Sequence, residues 1–472
     1  MEPTTQTKAT PMILQQDDRR SSFRITVNSP VKLKKDSSSA ISPQIGNAQT
    51  INLSEGGLAL TLDSKAELPS PLLIEFTLKD EPMQFQGEIM WSKISDNGKY
   101  YCGIRFLQKD EYQENILKRF LFTNDEYILN QIKDLKTKDK EISEKIQSFF
   151  RNELKIFLED LIILEQHIKN KTMSEDAIFE KLAKLSDEIV NKGDKLERQI
   201  GIGMLTKKIR DAFRFFTGHW GLQSKILERA FTKPHGYRGD YILMEMLYNN
   251  KPFSEGIGIY FDKYLQNNPY SIAVRGRRKK ITKLLRDNLQ AINLTSVNVL
   301  NLGCGSCPEI QDLFDDFRPE NNFNFTCIDF DQTALDSSKE RLKSLPENIK
   351  VKLQKENVIN LMKSQKEAGI LGKQHLVYSF GLADYLPDRV LKYFISTAYS
   401  LLQPGGKFII AHKDIEKYKP LAPEWFMDWV SEPRKVNNFI KLVEDSGIKD
   451  YSFNIEWEES NVIFFLVITK KG

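Results

Sequence analysis

From residue 24 to about 110, apolar and polar positions alternate over short runs, the two-residue period of half-buried strands. The runs are RITVNSPVKLK, GLALTLD, LLIEFTLK, FQGEIMWSKI and KYYCGIRFL, separated by turn signals such as SDNGK. Short strands at that spacing predict a small antiparallel β-barrel over 18–110. The period changes after residue 110. From Glu111 to Phe216, Gly and Pro are scarce and Lys, Glu, Leu and Ile dominate, which predicts a helical connector over 111–216. Within it Ile128, Ile132, Leu135, Ile142, Ile146 and Phe149 follow a three-four spacing interrupted by Asp139. That spacing suits an ordinary amphipathic helix packed on its own chain, or a short coiled-coil seam joining two copies as a homodimer through 128–149. Residues 217–295 mix helical text with the Gly-rich passage TKPHGYRGDYILMEMLY and read as a helical cap. Over 296–472, strand text (SVNVLNLG, FNFTCIDFD, IKVKLQKEN, QHLVYSFG, KFIIAHKD) alternates with helical text, and DYSFNIEWEES and NVIFFLVITKK close the chain as two further strands. Five strand–helix units followed by a strand pair predict an α/β doubly wound sheet of seven strands. The polar residues 1–17 read as a disordered tail, which makes the chain multidomain.

Composition narrows the function classes. A length of 472 residues predicts two to four domains. Charged residues make up 28% of the chain, yet the formal net charge is only +4. That balance argues against a partner that is a nucleic acid polymer, since such binders gather basic residues into a stripe. No run of eighteen apolar residues exists and the N-terminal text lacks the apolar stretch of a signal peptide, so neither a transmembrane segment nor export is predicted. The four cysteines, Cys102, Cys304, Cys307 and Cys327, form no disulfide framework in a chain this long. A cytoplasmic location with reduced thiols follows. Cys304 and Cys307 form a CxxC without a second ligand pair of suitable spacing, so no metal site is predicted.

Arg19, Arg20 and Arg24 crowd the lead-in to the first strand. Ordering three guanidiniums costs rotamer entropy, and an anion that accepts forked hydrogen bonds would offset that cost. A second element strengthens the case. Asn52, Ser54 and Gly57 stand in an Asn-x-Ser-x-x-Gly arrangement, with short polar groups suited to a base edge or phosphate and glycines that admit a close approach. Together the two motifs resemble those of the PilZ family of bacterial cyclic di-GMP receptors, over residues 19 to about 110. The resemblance implies that Arg19, Arg20, Arg24, Asn52, Ser54 and Gly57 grip cyclic di-GMP as a regulatory ligand.

The passage VNVLNLGCGSCPEI reads as a strand, a glycine turn at Gly303 and Gly305, and a helix. Pro308 stands where a dinucleotide fingerprint wants a third Gly or Ala, which weakens a nicotinamide reading. Asp329 ends the next strand, where a carboxylate accepts from ribose hydroxyls. Phe330 follows it, Asn357 and Val358 sit where an adenine edge and face would lie, and Ser379 and Phe380 fall at the fourth strand's rim. With the Pro-Gly-Gly turn and the final strand pair, these parts resemble class I S-adenosylmethionine (SAM)-dependent methyltransferases with their Rossmann-like sheet, over 296–472. In such domains an acid is usual at the position of Asn301 and a glycine at that of Cys307. Asn301 keeps a hydrogen bond to the amino-acid part of SAM without supplying charge. GYRGDY (Gly236 to Tyr241) and NPYSIAVRGRRKKI extend the match. They resemble the cap of a bacterial group linked to making a 3-hydroxy fatty acid methyl ester signal (an extracellular factor).

That resemblance implies a small or lipid-like acceptor, methylated on a carboxylate. A carboxylate, whose ordinary pKa is about 4, is already ionised at neutral pH and needs donors rather than a base. Tyr237, Arg275 and His412 are the candidate donors, and His412 or Asp240 would serve as base for a hydroxyl or amine acceptor. The rival reading is a catalytically weak or inactive methyltransferase-fold scaffold that answers cyclic di-GMP through partner binding. The sequence leaves the acceptor, the sign of regulation and the oligomeric state open.

Overall fold

A computed structural model describes residues 24–472 apart from 36–43, 64–67, 69, 97, 109, 136, 202 and 363–367. The predicted disordered tail, 1–17, and the candidate ligands Arg19 and Arg20 therefore lie outside the described residues. The chain divides into two compact units, Met1–Gln223 with Glu255–Tyr260, and Ser224–Ser254 with Phe261–Gly472.

The first unit opens with strands β1 (Arg24–Thr26), β2 (Pro30–Lys35), β3 (Gln44–Ser54), β4 (Gly57–Leu62), β5 (Leu72–Leu78), β6 (Glu81–Ile94) and β7 (Tyr100–Gln108). They pair in the order β1-β3-β2-β5-β6-β7-β4, and a β3–β4 pairing closes six of them into an antiparallel barrel. Alternation explains the closure. Leu72, Ile74, Phe76 and Leu78 of β5 all point inward, and Phe85 stacks between Phe76 and Phe106 with centroids at 5.9 and 4.2 Å. Between β6 and β7, where SDNGK signals a turn, the Ser95 amide donates to the Lys99 carbonyl. Strand β3 is the element that the alternation did not reveal. Thr50 occupies one of its inward positions, where its hydroxyl donates to the Val27 carbonyl and accepts from the Ser29 amide at 2.8 Å. A polar residue sits inside because its hydrogen bonds are met.

Helices follow at Glu111–Thr123, Asp125–Gln131, Lys140–Ser148, Lys155–Asn170, Glu175–Ile200 and Met204–Gly221. The candidate coiled-coil seam through 128–149 is not continuous. The helix carrying Ile128 ends at Gln131, and Asp139 caps the next by accepting from the Ile142 amide. Ile128, Ile132, Leu135, Ile146 and Phe149 are buried within the chain itself, so the alternative of ordinary amphipathic packing holds there. A π-helical turn, Phe149–Leu154, follows and feeds Phe150 into an aromatic core with Phe213, Phe216, Phe122 and Trp220.

The second unit holds a seven-stranded sheet of β8 (Ser296–Leu302), β9 (Asn322–Asp329), β10 (Ile349–Lys355), β11 (Gln374–Ser379), β12 (Leu402–Lys413), β13 (Tyr451–Trp457) and β14 (Ile463–Lys470). Their order is β10-β9-β8-β11-β12-β14-β13. The first five run parallel, and β14 pairs antiparallel with both β12 and β13. Near-continuous apolar runs such as IFFLVI in β14 reflect burial on both faces. Strand order reverses between β8 and β11, which opens a crevice at their carboxyl ends. Helices Lys225–Thr232, Tyr241–Asn249 and Pro269–Gln290 form the cap region. Among the described residues no helix is long and apolar enough to cross a membrane.

The inward Thr50 generates a test. Thr50→Val keeps the shape and removes the partner of the Ser29 amide, a loss of about 1–3 kcal/mol. Amide hydrogen exchange should then quicken across β1 and β3 while β12 and β14 stay protected, and unchanged exchange would refute the assignment.

Candidate functional site

On the barrel, pairing register brings the two sequence motifs together. Strand β1 runs antiparallel to the end of β3 with Arg24 opposite Ser54 and Thr26 opposite Asn52. The Arg24 guanidinium donates to Asn52 Oδ1 at 3.2 Å. Ser54 is fully buried and donates to the Gly57 carbonyl at 2.9 Å, which fixes the turn. Gly57 cannot be replaced without movement, because a Cβ there would run into the Ile104 carbonyl of β7. The same loop carries a residue that sequence reasoning passed over. Glu55 lies 3.5 Å from Lys118 on helix Glu111–Thr123 and 3.6 Å from His219 on helix Met204–Gly221. Lys118 also meets Glu165 at 2.8 Å and Glu114 at 3.8 Å. Burial lowers its pKa, but Glu165, Glu55 and Glu114 outweigh that and leave it raised. Burial lowers His219, against Glu55 and Glu165.

On the sheet, a cavity of about 240 Å³ opens at the carboxyl ends of β8 and β11. One wall is the turn after β8. Gly303 and Gly305 both take positive φ, and so does Cys307 at φ 49°, a non-glycine residue in the left-handed region. The turn is pinned by Asp329 at the tip of β9, whose carboxylate accepts from the Gly305 amide at 2.8 Å and the Asp331 amide at 3.0 Å. Burial raises the Asp329 pKa, and those two amides pull it back in part. Phe330, Asn357, Val358 and Phe380 continue this wall. Asn357 caps the following turn by accepting from the Ile359 and Asn360 amides.

The opposite wall is the cap. Its loop is latched at both ends. His235 Nδ1 and the Tyr237 hydroxyl both reach Asp331 Oδ2, at 2.6 and 3.0 Å, and Lys233 pairs with Asp428 at 2.6 Å. Gly239, at positive φ, passes under the Tyr385 hydroxyl, where a side chain would collide. Tyr237, Tyr241, Met244 and Tyr248 therefore face the glycine turn across the cavity.

Of the sequence candidates, Tyr237, Gly303, Gly305, Asp329, Phe330, Asn357, Val358 and Phe380 line this cavity. Five residues do not. Asp240 is 2% exposed, caps helix Tyr241–Asn249 through the Leu243 amide and pairs with Arg229 at 2.8 Å. Arg275 turns away and donates to the Leu247 and Gln266 carbonyls. His412 packs against the rings of Phe439 and Phe464, with Nδ1 2.9 Å from Asp384. Ser379 donates to the Leu302 carbonyl at 2.8 Å, tying β11 to β8. Asn301 is buried and donates to Glu309. Each stands near a strand tip or in a motif, and helix phase, strand facing or capping turns it elsewhere.

The residue missed is Arg277, two positions beyond Arg275 on helix Pro269–Gln290. It is 5% exposed and lines the cavity, with its guanidinium 5.7 Å from the Phe380 ring centroid. Burial lowers its pKa, but Tyr248, Tyr270 and Asp384 outweigh that and leave it raised. Helical phase was the available signal, since a step of about 100° separates adjacent positions of the RGRRKK run. Beneath the glycine turn, Cys304, Cys307 and Cys327 are buried free thiols in mutual contact.

Residues 18–123 match the PilZ domain family and residues 294–457 match a methyltransferase domain family. No curated protein sequence matches the chain. Among solved structures, a possible exported protein from Bordetella parapertussis aligns over 64% of this chain and 100% of its own, with 17% identity and a TM-score of 0.43. The magnesium protoporphyrin IX methyltransferase of Synechocystis PCC 6803 with bound SAM aligns over 43% and 85%, with 13% identity and a TM-score of 0.32. A SAM-dependent methyltransferase from Clostridium acetobutylicum aligns over 42% and 92%, with 14% identity and a TM-score of 0.30. The chain thus joins a PilZ domain over 18–123 to a methyltransferase domain over 294–457.

Proposed function

We propose that this protein is a cyclic di-GMP-responsive methyltransferase that esterifies the carboxylate of a small or lipid-like acid. One observation carries the choice of acceptor. Among the described residues lining the cavity, Asp329 is the sole carboxylate and no histidine is present. Asp329 already holds two backbone amides, and burial drives the Tyr237 hydroxyl, which donates to Asp331, well above the usual phenol range. A cavity without a base suits an acceptor that arrives ionised. SAM supplies a methyl group with a neutral thioether leaving, so an ionised oxygen accepts it without proton transfer. The residues' part is then alignment and exclusion of water. Gly303 and Gly305 admit close approach of the cofactor, and Asp329, which lines the cavity and has acceptor capacity left beyond its two amides, fits the ribose hydroxyls. Tyr241, Met244, Tyr248, Leu382 and Tyr385 offer the apolar walls that a hydrocarbon tail prefers.

Control by cyclic di-GMP is supported by Glu55. It stands inside the Asn-x-Ser-x-x-Gly loop and ties that loop to two helices, the second of which ends three residues before Ser224. A ligand gripped by Arg24 and Asn52 pulls on the loop that holds Glu55. The helices then feel binding through the Lys118 and His219 contacts.

Four outcomes are expected. With methyl-labelled SAM and a 3-hydroxy fatty acid, mass spectrometry should find a labelled product that mild alkali cleaves to labelled methanol, and an alkali-stable product would exclude an ester. Calorimetric titration with SAM should weaken roughly tenfold or more for Asp329→Ala, through loss of a charged acceptor, and change little for Ser379→Ala. Cyclic di-GMP binding should fall roughly ten- to a hundredfold in Arg24→Ala. Glu55→Gln should still bind the dinucleotide yet lose its effect on methylation, and an effect equal to wild type would rule out this coupling route.

A further inference from the structure

We infer that Arg277 is the anchor for an anionic acceptor, a guanidinium that waits inside the cavity for the carboxylate head of the molecule to be methylated. The inference rests on the reading of the cavity as a methyl-transfer site. Its ground is an accounting of hydrogen-bond donors.

A guanidinium carries five N–H donors and cannot be deprotonated in a protein. Buried, it requires partners for them, since an unmet charged donor costs more than a neutral one. Three neighbouring cations have such partners. Arg275 donates to two backbone carbonyls, Arg278 forms a two-pronged pair with Asp312 at 2.7 Å through both prongs, and Lys280 meets Glu456 at 2.8 Å. Arg277 does not fare so well. Among the described residues its Nε has no hydrogen-bond partner. Its Nη2 meets the Met244 sulfur at 3.9 Å, and the Tyr248 hydroxyl is a further neighbour within hydrogen-bond reach.

Asp384 is the carboxylate that faces Arg277, at 3.7 Å, beyond hydrogen-bond distance. Asp384 is held elsewhere: Oδ1 lies 2.9 Å from His412 Nδ1 and accepts from the Lys413 amide at 3.2 Å. Burial raises its pKa, but His412, Lys413 and Arg277 outweigh that and hold it well below the usual range. It balances charge at a distance without capping the guanidinium.

Position agrees with this role. Gly276 brings the helix against the Glu458 carboxylate, where any Cβ would collide, and the close approach carries Arg277 inward. The guanidinium nitrogens then lie 3.8 and 3.9 Å from where a Cβ on Gly381 would be. That is the carboxyl end of β11, beside the switch point where ligands of such sheets bind. Cavity walls near it are Tyr241, Met244, Phe380 and Tyr385. A carboxylate meeting Arg277 thus has its charge answered and its tail in apolar surroundings.

The test uses the full chain and calorimetry with decanoate and decanol as probes, in the presence of S-adenosylhomocysteine. Wild type should prefer decanoate to decanol roughly ten- to a hundredfold, the discrimination one forked charge-assisted contact supplies. Arg277→Met should abolish the preference while keeping SAM binding, and Arg277→Lys should restore part of it. In turnover with the acid, Arg277→Met should raise KM more than it lowers kcat. If Arg277→Met loses SAM binding and so its fold, the wild-type preference and the Lys variant decide. Equal binding of acid and alcohol by wild type, with SAM bound normally, overturns the anchor and leaves methyl transfer standing. Preference for decanoate in a protein that binds no SAM supports the anchor and sinks the methyl-transfer reading.

Discussion

Two backbone amides converge on the Asp329 carboxylate, and the shape of the cavity follows from that convergence. Strand β9 delivers the acid to its tip, beside the turn that leaves β8. The turn folds there because three of its residues tolerate positive φ. Were the acid absent, the part-buried Gly305 amide would lose its partner, at a cost of about 1–3 kcal/mol. Asp331, two residues on, repeats the arrangement toward the cap by receiving His235 and Tyr237. Burial raises the Asp331 carboxyl, but its hydrogen bonds from Thr333, His235 and Tyr237 outweigh that and hold it low. One strand end therefore positions both walls, and the distance between glycine turn and cap is set by residues two apart in sequence.

The barrel shows the same economy. Strand β3 is long enough to pair with β2 along its first half and β1 along its second. The register of β1 on β3 places Arg24 across from Ser54. Arg24, Asn52 and Ser54, from the two sequence motifs, thereby share one patch, with no loop needed to carry them there. Glu55 then follows from sequence alone: any residue between Ser54 and Gly56 emerges at the β3–β4 turn.

Much of this was legible in the sequence, and the limits have physical causes. The strand–helix alternation of 296–472 specifies the sheet because parallel strands buried on both faces write themselves as apolar runs. Asp329 and the glycine turn were readable because both sit at strand ends, where one dimension of sequence fixes three of structure. Strand β3 was not, since Thr50 breaks the alternation and is satisfied by hydrogen bonds that only the folded chain supplies. Arg277 was hidden for a different reason. In RGRRKK nearly every residue has the same chemistry, and only the helix's rotation against the sheet chooses which one points inward. His412 ended on the wrong side of β12 by the same one-residue logic, because neighbours along a strand face opposite layers.

Asn301, which stands where an acid is usual in this domain class, has an explanation in its neighbours. Its amide donates to Glu309 Oε1 at 2.9 Å, and the Tyr378 hydroxyl donates to the same oxygen at 2.9 Å. Glu309 is fully buried, and that burial drives its pKa well above the usual carboxylate range. An aspartate at 301 would press a second carboxylate against it with no cation in the pair, an arrangement that forces one of them to remain protonated. The amide avoids the conflict by replacing an acceptor with a donor. The acid stands instead in the first turn of the following helix, where the helix N-terminus favours it, and the glycine turn keeps its shape without an acid at 301.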